Sequence, residues 1–185
     1  MNKKVYIFLA DGFEDIEGLA VVDLMRRAGI GIVTVSIKEE KEIVTSHGIQ
    51  MRTDIAFPEA DFSDADLLIL PGGKLGTANL KACEPLAKLL VDFAGQGGKI
   101  AAICAAPTVL SDLGLLEGRK ATSYPTCEPA VKAAQYLTDK VVVDGNITTS
   151  RGMGTAIDFG LNLIGQLLGE EKALEIARSI VYQTA

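Results

Sequence analysis

The sequence is poor in the residues from which many functional sites are built. It has one histidine, His47, and three cysteines, Cys83, Cys104 and Cys127. An odd number of cysteines at scattered spacing makes no disulfide framework. One histidine and no C-x-x-C pair argue against a zinc site, so no metal is expected. No apolar stretch reaches membrane length, and the first one, Val5–Ala10, is too short for a signal-peptide core. There is no lysine-arginine run, and the net charge is −6. An acidic chain is a poor electrostatic partner for nucleic acid or an anionic membrane. A cytoplasmic protein with neither partner is expected.

What is present describes a globular domain. Of 185 residues, 48% are hydrophobic, enough for a core without cross-links, and 23% are charged, an ordinary globular share. No linker, repeat or low-complexity stretch divides the chain, so residues 1–185 read as one domain. Short β-branched runs alternate with helical patterns. Val5–Ala10, Gly31–Ile37, Asp66–Leu70 and Lys99–Ile103 read as strands, and Ala121–Ser123 and Val141–Ser150 supply further short ones. Helices are expected over Glu14–Ala28, Glu84–Ala94, from just after Ile103 through Leu113, along the face Ala156, Phe159, Gly160, Leu163, Ile164 and Leu167, and over Glu170–Val181. Lys38–Phe57 reads as a hairpin or irregular excursion. The alternation implies βαβ units and a parallel sheet covered on both faces. Ligands of such sheets bind beyond the carboxyl ends of the strands, where strand order reverses. Three segments qualify: Asp11–Glu17, Pro71–Gly76 and Cys104–Pro107.

Cys104 follows the apolar run Ile100–Ile103 and precedes Ala105-Ala106-Pro107, a small-residue turn into a helix. A residue on such a turn is exposed at the sheet top, and a helix N-terminus favours a thiolate. Free cysteines are also common core residues, and placement alone leaves both readings open. Glu14 and Asp15 are accounted for by the dipole of the helix they start. Glu17 is less so, because Leu19-Ala20-Val21-Val22 follows it. Turned toward the sheet top it would be partly desolvated, its pKa raised, and able to donate a hydrogen bond to a thiolate. Gly72 and Gly73 follow a strand and can present backbone N–H groups as an oxyanion hole, though the order is not that of a phosphate loop. Arg151-Gly152-Met153-Gly154 is a turn before a helix, with Thr155 and Asp158 as a cap-like pair, and its backbone can border the site. His47 reads as an exposed loop residue, Cys83 as inert, and Cys127 as a weaker second reactive thiol.

Taken together, these segments resemble a known family. Ala102-Ile103-Cys104-Ala105-Ala106-Pro107 is similar to the cysteine elbow of the ThiJ/PfpI superfamily, in the branch of the Parkinsonism-associated protein deglycase and its bacterial relatives. Asp11–Glu17, Asp23–Ile30, Leu70–Gly73 and Thr149–Thr155 extend the likeness, in order, almost end to end. The resemblance implies a flavodoxin-like (class I glutamine amidotransferase-like) α/β sandwich and a homodimer pairing through the first helix, with Ile16 near the interface. It implies Cys104 and Glu17 as the paired active-site residues, with Gly72, Gly73 and Ala105 supplying backbone to the oxyanion pocket and Glu14, Tyr124, Arg151 and Gly152 around it. It also implies cofactor-independent glyoxalase or deglycase activity on methylglyoxal-type aldehydes or glycated adducts, or else oxidative-stress sensing or chaperone-like behaviour through Cys104. The sequence departs from the family at Tyr124, where several members carry histidine. Ala105 follows the cysteine where the protease-like branch has histidine, and there is no distal His-x-Glu. Cysteine protease and amidotransferase chemistry, which needs an imidazole base, is disfavoured.

Overall fold

The computed structural model describes residues 3–182. Its elements, in chain order, are β1 (Lys4–Leu9), α1 (Asp15–Arg27), β2 (Gly31–Ser36), β3 (Glu42–Val44), β4 (Gln50–Arg52), β5 (Ile55–Ala56), β6 (Leu67–Leu70), α2 (Lys74–Ala82), α3 (Glu84–Gly95), β7 (Lys99–Ile103) and α4 (Pro107–Asp112). They continue with β8 (Lys120–Ala121), β9 (Gln135–Tyr136), β10 (Val141–Asp144), β11 (Ile147–Ser150), α5 (Ala156–Leu168) and α6 (Glu170–Ser179).

Seven strands form one sheet in the order β10-β11-β7-β6-β1-β2-β5. Only the β10–β11 hairpin is antiparallel. Successive strand residues point to opposite faces, so each buried strand feeds two cores. Val5, Ile7, Leu9, Leu67, Ile69, Ala101 and Ile103 pack against α1, α5 and α6 through Val21, Met25, Phe159, Ile164 and Ile176. Tyr6, Phe8, Leu68, Leu70, Ile100 and Ala102 pack on the other side against Leu80, Leu86, Leu90, Val109 and Leu110 of α2, α3 and α4. A mostly parallel sheet with helices on both faces is the flavodoxin-like arrangement.

The chain runs outward from β1 through β2 to β5, then returns to lay β6 on the other side of β1. Strand order reverses there. The segments after β1, β6 and β7 leave the sheet side by side at its carboxyl end, the crevice where such sheets bind ligands.

Lys74–Ala82, assigned to no element from the sequence, is helical. Gly76 sits inside that helix because an added Cβ would come 2.6 Å from Phe13 Cα. The Lys38–Phe57 excursion is a β3–β4 hairpin followed by β5, an edge strand of the main sheet. Val141–Ser150 is two strands, folded back at Gly145 with φ +59°. Thr155 does not cap α5. Its hydroxyl instead donates to Gly152 O (2.9 Å), closing the glycine turn, while Asp158 pairs with Lys140 (3.3 Å).

Candidate active site

Cys104 ends β7 in the left-handed region, φ +64°, which side chains other than glycine rarely adopt. That conformation costs roughly 1–3 kcal/mol and persists because the surroundings fix it. The Cys104 N–H donates to Ser150 O (3.0 Å) and its carbonyl accepts from Tyr124 N–H (2.7 Å). With its backbone pinned to two neighbouring segments, the thiol projects from the turn. The N–H groups of Gly73 and Ala105 hydrogen-bond the sulfur.

Glu17 comes from the first turn of α1 and is 1% exposed. Glu14 is the N-cap of that helix: its carboxylate accepts from the Glu17 N–H at 2.8 Å, fixing the start of the helix and the direction of Glu17. The Glu17 carboxyl accepts from Gly72 N–H (3.0 Å) and from the Met153 backbone, and it hydrogen-bonds Cys104. Gly72 lies against both reactive groups. A Cβ there would come 2.5 Å from Glu17 Oε2 and 2.6 Å from Cys104 Cβ, so only glycine admits the thiol–carboxyl contact.

Burial is the largest influence on both groups, and it raises both. It pushes Glu17 up to about 7, with help from the charge of Glu14, while the bonds from Cys104, Gly72 and Met153 work the other way. It also raises the Cys104 thiol, as does an ionised Glu17 beside it, against the pull of the Gly73 and Ala105 N–H groups. The expected lowering of Cys104 by a helix terminus alone is therefore not met: α4 has only six residues and begins three residues past the cysteine. Beyond burial, the rise at Cys104 belongs to a thiol facing a carboxylate. When the proton resides on Glu17 the repulsion disappears and the carboxyl donates to the thiolate. The two groups titrate as one unit that holds a proton between them.

A cavity of ≈ 550 Å³ opens beside the sulfur, walled by Cys104, Ala105 and Tyr124 together with Lys74, Thr77 and Cys127. Among the described residues, the buried Thr77 hydroxyl has no hydrogen-bond partner. The Tyr124 ring lies over Gly152, whose missing Cβ would sit 3.3 Å from it and 3.8 Å from Glu17 Oε1. Gly152 thus backs the carboxyl. Arg151 reaches toward Thr122 Oγ1 (3.5 Å) and is not part of the cavity wall. Glu14 does not touch the sulfur and acts through Glu17. Sequence reasoning missed the Met153 N–H, a backbone donor with no side-chain signature. His47 is exposed on the β3–β4 turn, as expected, but its pairing with Asp15 at the start of α1 (Nδ1–Oδ2 2.7 Å) had no signal in the sequence. Glu14, Asp15 and His47 converge there, but Asp15 and His47 satisfy one another as a hydrogen-bonded pair.

A mostly parallel α/β sheet with a thiol on a strained turn at its switch point, opposed by a buried carboxyl, defines a flavodoxin-like protein of the cysteine-elbow class. The chain belongs to the DJ-1/PfpI family, whose model matches residues 3–166. It is 37% identical to Protein dj-1beta of Drosophila melanogaster over 183 residues, 98% of each chain. The crystal structure of Drosophila DJ-1beta superposes with a TM-score of 0.95 at 36% identity, covering 100% of both chains. It is 40% identical to Protein DJ-1 homolog B of Arabidopsis thaliana over 97% of this chain, and it spans 42% of that longer protein. A Thermococcus kodakarensis protein named Deglycase TK1284 is 37% identical over 82% of this chain and 91% of its own length.

Proposed function

We propose that this chain is a cofactor-independent glyoxalase- or deglycase-like enzyme acting on methylglyoxal-type aldehydes or their adducts. The carrying observation is the Cys104–Glu17 contact, a thiol and a carboxyl pushed up to about 7 that share a buried hydrogen bond beneath a cavity. A group titrating near 7 is suited to proton transfer at neutral pH. The Cys104 thiolate adds to the aldehyde carbon, and the carbonyl oxygen takes a proton to give a hemithioacetal. Glu17 removes the C1 proton and returns it to C2, while the C1 hydroxyl proton passes to the C2 oxygen, leaving a thioester. Water cleaves the thioester, releasing the 2-hydroxy acid and the thiol. The N–H groups of Gly73 and Ala105 stabilise the oxyanion that develops in the addition and hydrolysis steps. No metal or organic cofactor takes part. The Thermococcus relative named a deglycase supports this class of chemistry.

A second reading, in which Cys104 oxidation is sensed and turnover is slight, draws support from Tyr124. No imidazole stands beside the thiol to speed the chemistry. Methylglyoxal loss with purified protein separates the two. Turnover that disappears in Cys104→Ala and falls about 10²–10⁴-fold in Glu17→Gln is the enzyme result. Equal rates in wild type and Cys104→Ala would sink it. The functional unit is a homodimer formed through the α1 face, where Ile16 is 48% and Leu19 37% exposed.

A further inference from the structure

Cys127 stands apart from the chemistry above, yet it lines the same cavity as Cys104. Its placement follows from the backbone. The Cys104 carbonyl accepts from Tyr124 N–H (2.7 Å), and the Tyr124 carbonyl accepts from Cys127 N–H (2.8 Å), so two hydrogen bonds in series hold Cys127 close to the elbow. Cys83, the remaining cysteine, lines a different cavity with Asp11, Lys38 and Asn79. The segment that carries Cys127, Pro125–Ala130, is a 3-10 stretch outside the main sheet. Pro125 and Pro129 within it have no N–H to donate. Both cysteines are partly exposed, and both line the same cavity.

We propose that Cys127 is the resolving thiol of Cys104. A hydroperoxide entering the cavity meets the Cys104 thiolate. Its O–O bond breaks, one oxygen joins the sulfur as sulfenic acid, and the other leaves as water or alcohol with a proton. Cys127, as thiolate, then attacks the Cys104 sulfur. The S–S bond forms as the S–O bond breaks, and the departing hydroxide takes a proton to leave as water. The sulfur pair loses two electrons and the peroxide gains them. A disulfide requires the two Cα atoms to come within about 4.4–6.8 Å, so Pro125–Ala130 closes onto the elbow as the bond forms. This chain would then halt oxidation at a state that small thiols reverse, short of the sulfinate, which they do not.

The inference rests on Cys104 being a reactive thiol, and the experiment keeps the two ideas separate. Full-length protein is treated with excess hydrogen peroxide and mapped by mass spectrometry without reduction, then again after dithiothreitol. Wild type and Cys83→Ser are expected to lose two hydrogen atoms, to yield a linked Cys104–Cys127 peptide within one chain, and to recover their thiols fully. Cys127→Ser and Cys127→Ala are expected to gain two oxygens at Cys104 and to show a several-fold larger irreversible fraction. Wild type accumulating Cys104 sulfinate as fast as Cys127→Ser overturns the proposal while leaving Cys104 reactive. So does a disulfide joining two chains. Cys104 left unoxidised in every variant overturns the reactive-thiol reading, and this proposal with it.

Discussion

Which of two atoms, the Cys104 sulfur or a Glu17 oxygen, holds the shared proton determines how the site titrates. With the proton on Glu17, thiolate absorbance in wild type should rise as the pair first ionises, below the free-cysteine value of about 8.5. Glu17→Ala should then move that rise upward, because the donor to sulfur is lost. If the carboxyl ionises first, wild-type thiolate would appear only in alkali and Glu17→Gln would lower its pKa. That result would remove the thiolate–acid pair. Glu17 also carries a signature in stability. A carboxyl raised on folding is most favourable to the native state while protonated. Its contribution is whole below the unfolded value of about 4.3 and declines as pH rises to about 7. If Glu17 is the group that ionises first, Glu17→Gln should stabilise the protein at pH 8 by roughly 1–3 kcal/mol, a Tm gain of about 2–4 °C per kcal/mol, and by little at pH 4; if the proton stays on Glu17, the gain at pH 8 should be absent. Melting curves at the two pH values check this.

At the scale of elements, the β3–β4 hairpin is fastened to the start of α1. Gly12 N–H donates to Val44 O (2.7 Å) and Ser46 N–H to Phe13 O (2.8 Å), while Asp15 accepts from Thr45 (2.5 Å) and Ser46 (3.0 Å) and pairs with His47. Burial opposes ionisation of Asp15, but the bonds from Thr45, His47 and Ser46 outweigh it and hold its pKa down at about 2. The stability it contributes is full above the unfolded value of about 3.9 and is lost as pH falls toward 2. Asp15→Asn should cost roughly 1–3 kcal/mol near neutrality, with the gap to wild type closing between pH 4 and pH 2. A constant gap across that range would show that the carboxylate charge is not what fastens the hairpin. This fastening was not legible in the sequence. Thr45-Ser46-His47 is a polar stretch some thirty residues from α1, and nothing in its pattern names a partner. The strands around Cys104 were legible because buried parallel strands are apolar throughout, and Lys99–Ile103 has the same bounds in sequence and structure. Helix α2 was missed for the converse reason. Gly72, Gly73 and Gly76 are there for close approach to Glu17, Cys104 and Phe13, and such glycines mimic the punctuation of a loop. The elbow and the family motif led to the expectation that Cys104 and Glu17 pair, and the two side chains do meet, whereas no sequence pattern specified the Met153 N–H.

For the whole molecule, the exposed apolar residues Ile16, Leu19 and Ile49 (52% exposed) are what a self-complementary interface would bury. Light scattering at micromolar concentration should give a dimer mass, and Ile16→Asp should shift it toward monomer with the helical circular dichroism signal retained. A wild-type monomer would reject pairing through α1. No helix among the described residues is long and apolar enough to cross a membrane.

The sheet also acts as a partition. Because strand side chains alternate, Val21 and Leu86 lie in apolar layers that do not mix, one on each side of β6 and β7. Truncations in the two layers should behave as independent events. The costs of Val21→Ala and Leu86→Ala should sum in the double variant to within about 0.3–0.5 kcal/mol. The carboxyl end is the exception. There α1 of one layer delivers Glu17, and the elbow leading into α4 of the other delivers Cys104. Each layer can accumulate substitutions without regard to its opposite, and the reactive pair is where their histories must agree.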